Sequence, residues 1–290
     1  MALPPPLCTF VLWGFLLFIS SHSAECGKLL VLPMDGSHWL SMSKVLKELS
    51  LKGHELVVVV PETSLLLKDF SYTSKIYPVP HTQKELEKVY REFGHLLFDD
   101  GPFLKRVLRK HESIKQFISM MYTTCRYLLY NEDLMSYINK SHFDAILTAT
   151  AVPCGSIISE HFSIPVVNFL RGIACNLDLK AAQCPSPPSF VPSFFTSFTD
   201  NMTYLQRVAN MIVRSLDFLL CKYVYSDFDH LASEFLQKDV TILDLLNNSP
   251  IWLLRYDFVF EYPRPAMPNM VFIGGINCVQ KKNLSQVTQA

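Results

Sequence analysis

Two short apolar runs, 28–33 (KLLVLP) and 55–60 (ELVVVV), bracket a stretch with helical spacing, and that triplet constrains the fold more than anything else in the chain. Both runs are apolar at consecutive positions, as in strands covered on both faces. Between them, Leu40, Met42, Val45, Leu46 and Leu49 recur at helical intervals over 39–51, and Gly53 follows where a helix is usually stopped. Strand, helix and strand within so few residues predict a βαβ unit and hence a parallel sheet.

The alternation continues downstream. Helices are expected over 82–97, 103–121 and 131–138, a strand over 143–148, a short helix over 153–161 and a strand over 164–168. Residues 185–192 carry four prolines and predict an extended segment that no helix can enter. A long helical region over 202–236 and a last strand over 270–274 complete an α/β domain with a doubly wound sheet.

The first 24 residues read as an address. An uncharged run of 13 residues, 7–19, is too short to span a bilayer and resembles the apolar core of a signal peptide. Cleavage is expected near Ala24, leaving a product that is held in the endoplasmic reticulum lumen or secreted and touches membranes only peripherally. Lys plus Arg and Asp plus Glu both total 26, so the basic surplus of a phosphate-tracking nucleic-acid binder is missing. Of the cysteines beyond the leader, most read as buried small hydrophobes. Cys175 and Cys184 lie nine apart in a loop and are a candidate pair in an oxidising lumen. Sequons at Asn139, Asn201 and Asn283 are candidate glycan sites; one at Asn247 is weakened by Pro250.

His38 is the candidate for chemistry. It sits where the first strand feeds the first helix, and ligands of open α/β sheets bind beyond the carboxyl ends of the strands. The positive pole of a helix N-terminus disfavours imidazolium, which would leave the ring neutral near pH 7, as a general base requires. A ring that merely packs or caps at the helix start is the structural alternative. Asp35 and Ser37 read as turn and N-cap residues. No dinucleotide, P-loop or hydrolase-elbow motif is present. His142, His161 and His230 show no partner spacing for a metal.

Five blocks together form a resemblance: PMDGSHWLSM at 33–42, FDAILT at 143–148, PCGS at 153–156, QCPSPPSFVP at 183–192 and YPRPAMPNMVFIGGINC at 262–278. They resemble the vertebrate UDP-glucuronosyltransferases of the family-1 subgroup. The resemblance implies a GT-B architecture, with residues 25–278 forming the Rossmann-like half that binds a small lipophilic aglycone (a phenol, steroid or bile pigment). His38 then matches the family's general base, which deprotonates the acceptor hydroxyl for inverting attack on glucuronic acid. The Asp that usually partners this His corresponds here to Ala149. Aromatic side chains such as Phe93, Phe103 and Phe117 are the expected acceptor contacts.

Beyond Gln286 the sequence leaves the family pattern, and residues 279–290 read as a truncated linker and tail. The resemblance places UDP-glucuronic acid, the co-substrate, in a donor domain that family members carry after this point. Two functions follow as expectations. The chain is either the acceptor half of a glucuronosyltransferase, inactive without a donor half, or a silent lumenal binding protein that pairs with full-length relatives.

Overall fold

The two apolar runs become β1 (Lys28–Leu32) and β2 (Glu55–Pro61), and the helix between them is α1 (Ser37–Leu51). In the computed structural model the described residues are 26–67, 72–95, 103–172, 176–193, 196–257, 259 and 261–278. Residues 1–24, expected as a leader, and 279–290, expected as a tail and carrying Asn283, lie outside them.

β3 (Thr73–Tyr77), α2 (Gln83–His95), α3 (Phe103–Leu129), α4 (Glu132–Lys140), β4 (Ala145–Thr148), α5 (Cys154–Phe162) and β5 (Val166–Leu170) follow. Then come α6 (Leu177–Ala181), α7 (Tyr204–Leu236), α8 (Ile242–Asn247), β6 (Ile251–Leu254) and β7 (Met270–Phe272). All seven strands pair in parallel, in the order β3-β2-β1-β4-β5-β6-β7. The doubly wound α/β fold expected from the βαβ signal is therefore the one observed.

Strand alternation sorts the core into two layers. Leu30, Leu32, Val57 and Val59 face one side, against α3, α4, α5, α7 and α8. Val31, Leu56, Val58 and Val60 face the other, against Trp39, Met42 and Leu46 of α1. Helix ends follow local chemistry. Asn131 accepts from the Leu134 N–H to cap α4, and Thr203 with Gln206 forms a reciprocal capping box on α7. The proline segment is non-helical as expected. Asn210 of α7 holds it, accepting from the Ser193 N–H and donating to the Pro188 and Val191 carbonyls.

Four elements were not anticipated: β3, β6, α6 and α8. β3 is an edge strand with Ser, Thr and Lys among its five residues, and β6 is only four residues long. Helix α3 also runs on to Leu129, where 121 was expected.

The cysteines depart from expectation. The sulfurs of Cys125 on α3 and Cys154 on α5 are joined, so neither is a plain buried hydrophobe. Cys184 carries a free, buried thiol directed at the Pro265 carbonyl, 3.2 Å away, which removes it as a partner for Cys175. Burial pushes that thiol's pKa up. Cys175 itself lies outside the described residues.

Candidate active site

In the observed strand order, successive connections turn to opposite sides between β1 and β4, which opens a crevice at their carboxyl ends. Two loops meet there: 33–36 after β1 and 149–153 after β4. Ala149 is bound to the first of these strands by its own N–H, which donates to the Leu32 carbonyl at 3.1 Å.

The first loop is held by Asp35. Its carboxylate accepts from the N–H of Gly36 (2.7 Å), Leu66 (3.0 Å) and Leu65, tying the β1–α1 loop to the β2–β3 loop. Gly36 occupies the N-cap position at φ 77°, a left-handed conformation that suits glycine, and no side chain caps the helix. Ser37, expected as a possible cap, is instead the first helical residue. Its carbonyl accepts from Ser41 and Arg255.

His38 follows in the first turn of α1. Burial lowers its pKa to about 4, with the Arg255 guanidinium as the second cause. The ring is neutral at pH 7, as expected from its helix-end position, but desolvation and a cation account for it. Arg255 follows β6 and reaches across to α1, donating to Ser41 Oγ at 2.7 Å and to the Ser37 carbonyl at 3.3 Å. Asn277 donates to the same Ser41 oxygen at 2.9 Å.

His38 Nδ1 is buried and has no hydrogen-bond partner among the described residues. Ala149 stands 2% exposed among apolar residues that include Trp39 and Phe169. The flanking threonines are committed elsewhere. Thr148 Oγ1 donates to the Leu32 carbonyl at 3.4 Å, and Thr150 Oγ1 donates to Asn168 Oδ1 at 2.7 Å. Asp35 is taken up by backbone amides, and Asp144 accepts from the Lys28 N–H at the amino end of the strands, remote from the crevice. None of the four replaces an orienting carboxylate.

Beside the crevice lies a small, partly open apolar cavity. Pro33, Met34, Leu86, Tyr90, Met121 and Ala149 contribute to its wall. His38 is not part of that wall. Phe93 and Phe117, expected as acceptor contacts, stack on each other at 4.3 Å, and Tyr90 meets Phe117 edge-on at 5.4 Å. Of these three rings only Tyr90 lines the cavity, because the two phenylalanines bury their faces against each other. The side chain of Phe103 lies outside the described residues. Sequence reasoning missed Arg255, Tyr90 and His81; an isolated Arg or His after a strand carries no periodic signal. Asn139 and Asn201 are both exposed, as glycan acceptors must be.

The sequence pattern of the family described as UDP-glucoronosyl and UDP-glucosyl transferase matches residues 27–290. The chain belongs to this family. It is 49% identical to rat UDP-glucuronosyltransferase 1A1 over 98% of its own length and 54% of that protein's. Against human UDP-glucuronosyltransferase 1A6 it is 47% identical over 91% of itself and 50% of the relative. The chain thus spans about half the length of the curated relatives it matches. Among solved structures, the calicheamicin glycosyltransferase CalG4 superposes with a TM-score of 0.46 at 10% identity, covering 86% of this chain and 52% of that one.

Proposed function

We propose that this chain forms the acceptor-binding half of a UDP-glucuronosyltransferase of GT-B architecture. The observation that carries the reading is the neutral His38 imidazole at the β1/β4 crevice, next to an apolar cavity. Nδ1 is buried, which leaves Nε2 to meet an incoming hydroxyl. That nitrogen takes the hydroxyl proton as the acceptor oxygen forms a bond to the anomeric carbon of the sugar. The anomeric carbon–oxygen bond to phosphate breaks at the same centre, and UDP leaves with the electron pair. Inversion follows from attack on the opposite face. The acceptor is a small lipophilic alcohol or phenol, since the cavity wall is mostly apolar. UDP-glucuronic acid would be held by a donor-binding half like that of the longer relatives.

A lumenal location fits the apolar 7–19 run together with the joined Cys125 and Cys154, since such links persist in oxidising compartments. Among the described residues no helix is long and apolar enough to cross a membrane.

One observation favours a second reading, a silent acceptor-binding partner of full-length relatives: His38 Nδ1 lacks the acceptor that would orient the ring. Losing such a group lowers turnover by as much as about 10⁴-fold in the serine-protease analogue. The test is to fuse residues 25–286 to the donor-binding half of a relative and assay glucuronide formation from simple phenols. Turnover that His38→Ala abolishes supports the enzymatic reading. Acceptor binding with no turnover by the fusion supports the silent partner.

A further inference from the structure

The cavity is not uniformly apolar. On its β2–β3 side, Thr63 Oγ1 and His81 Nδ1 are both buried, and neither has a hydrogen-bond partner among the described residues. Three other polar residues of the wall are satisfied: Asp35 by three backbone amides, Thr124 by the Met120 carbonyl and Thr148 by the Leu32 carbonyl. A buried polar atom left unpaired costs about 1–3 kcal/mol, and folded proteins carry few of them. Two on one cavity wall mark a place where a ligand group completes the bonding.

Topology brings the pair together. The Glu62 N–H donates to the Tyr77 carbonyl at 2.8 Å, so Thr63 and His81 emerge just past the carboxyl ends of two paired strands. Burial lowers the pKa of His81 against the opposing pull of Glu85, so the ring is neutral and its buried nitrogen is able to accept a proton donor. The threonine hydroxyl both donates and accepts. A ligand hydroxyl offers what both lack, a proton for His81 Nδ1 and a lone pair for the Thr63 hydroxyl. Ala149, at the other side of the cavity, follows β4. Two interstrand steps separate β2 from β4, a span of about 10 Å.

We propose that Thr63 and His81 form a second polar subsite, which selects acceptors bearing a hydroxyl at each end of a rigid apolar body. One hydroxyl is directed past Ala149 towards the crevice that holds His38, and the other is held at this subsite. The proposal rests on the acceptor-site reading above and adds a specificity rule to it.

The test uses the full chain and two probes, para-phenylphenol and its doubly hydroxylated analogue biphenol, with affinity measured by calorimetry. Wild type is expected to bind biphenol about tenfold more tightly, the worth of one buried donor–acceptor exchange beyond the shared body. Thr63→Val with His81→Phe should erase that preference. His81→Gln, which keeps an acceptor, should retain part of it. Thermal unfolding checks that each variant is folded. Binding of para-phenylphenol without any preference for biphenol, or a preference that survives the double variant, overturns the subsite alone. Saturable binding of neither probe overturns the acceptor-site reading and the subsite with it.

Discussion

Arg255 donates to Ser41 across 2.7 Å and 214 residues of sequence, fastening the end of β6 to the second turn of α1. The same guanidinium lies 5.7 Å from the centre of the Phe169 ring, over its face. This anchoring keeps a half-desolvated cation beside His38, with no compensating carboxylate acting on the imidazole among the described residues.

His38 should therefore titrate near pH 4 by NMR, and Arg255→Met should move its titration to higher pH. Linkage gives the sign for stability. The folded ring refuses a proton that the unfolded chain accepts below about pH 6.5, so stability is full above that value and falls as pH drops towards 4. Between pH 7 and 4.5 the loss attributable to His38 is about 2 kcal/mol. Urea unfolding of wild type against His38→Gln at the two pH values isolates it.

Ala149→Asp should give the imidazole the carboxylate it lacks. In the variant, the His38 titration should rise from about 4 towards the ordinary histidine range. In the fusion with a donor half, turnover should increase roughly 10- to 1,000-fold with little change in acceptor KM, and His38→Ala should cancel the gain. An unchanged titration curve would show that the side chain at position 149 does not reach the ring.

Separating Cys125 from Cys154 should lower stability substantially. The two lie 29 residues apart, and closing a loop of that length is worth about 3–4 kcal/mol by chain entropy. Cys125→Ser and Cys154→Ser should each lower the urea midpoint by a similar amount, and the double variant by no more than either. Reductant should lower the wild-type midpoint and leave the double variant unmoved.

Gly155→Ala should disrupt the seat of α5 on β4. A Cβ there would stand 2.3 Å from Thr148 Oγ1 and 2.5 Å from its Cβ, with no flexible group able to yield. Overpacking of this kind costs about 1–3 kcal/mol, and more where backbone elements must separate. Thermal unfolding measures the loss. Because both residues also line the cavity, affinity for para-phenylphenol should fall in the same variant.

The central strands and the long helices were legible because their apolar periodicity is a local property of the chain. β2 reads as a strand because four valines in succession suit little else. β3 hid behind Thr73, Ser74 and Lys75, since an edge strand needs apolar residues only where it touches the core. The position of His38 was readable from its place after β1. Its electrostatics were not, because Arg255, 217 residues further on, follows a strand that carried no signal of its own. Phe93 and Phe117 stack on each other outside the cavity wall, and composition does not say which ring turns inward.

The join between Cys125 and Cys154 gives the cavity one stiff side and one compliant side. α3 and α5, which supply Met121, Thr124, Leu128 and Gly155, are stitched covalently and cannot part to admit a wider guest. The facing side, with Leu86 and Tyr90 on α2, is steadied at the helix start by the Thr82–Glu85 capping box, a non-covalent latch. Tolerance for guest width is thereby a property of one helix, and substitutions along α2 should change which shapes are admitted.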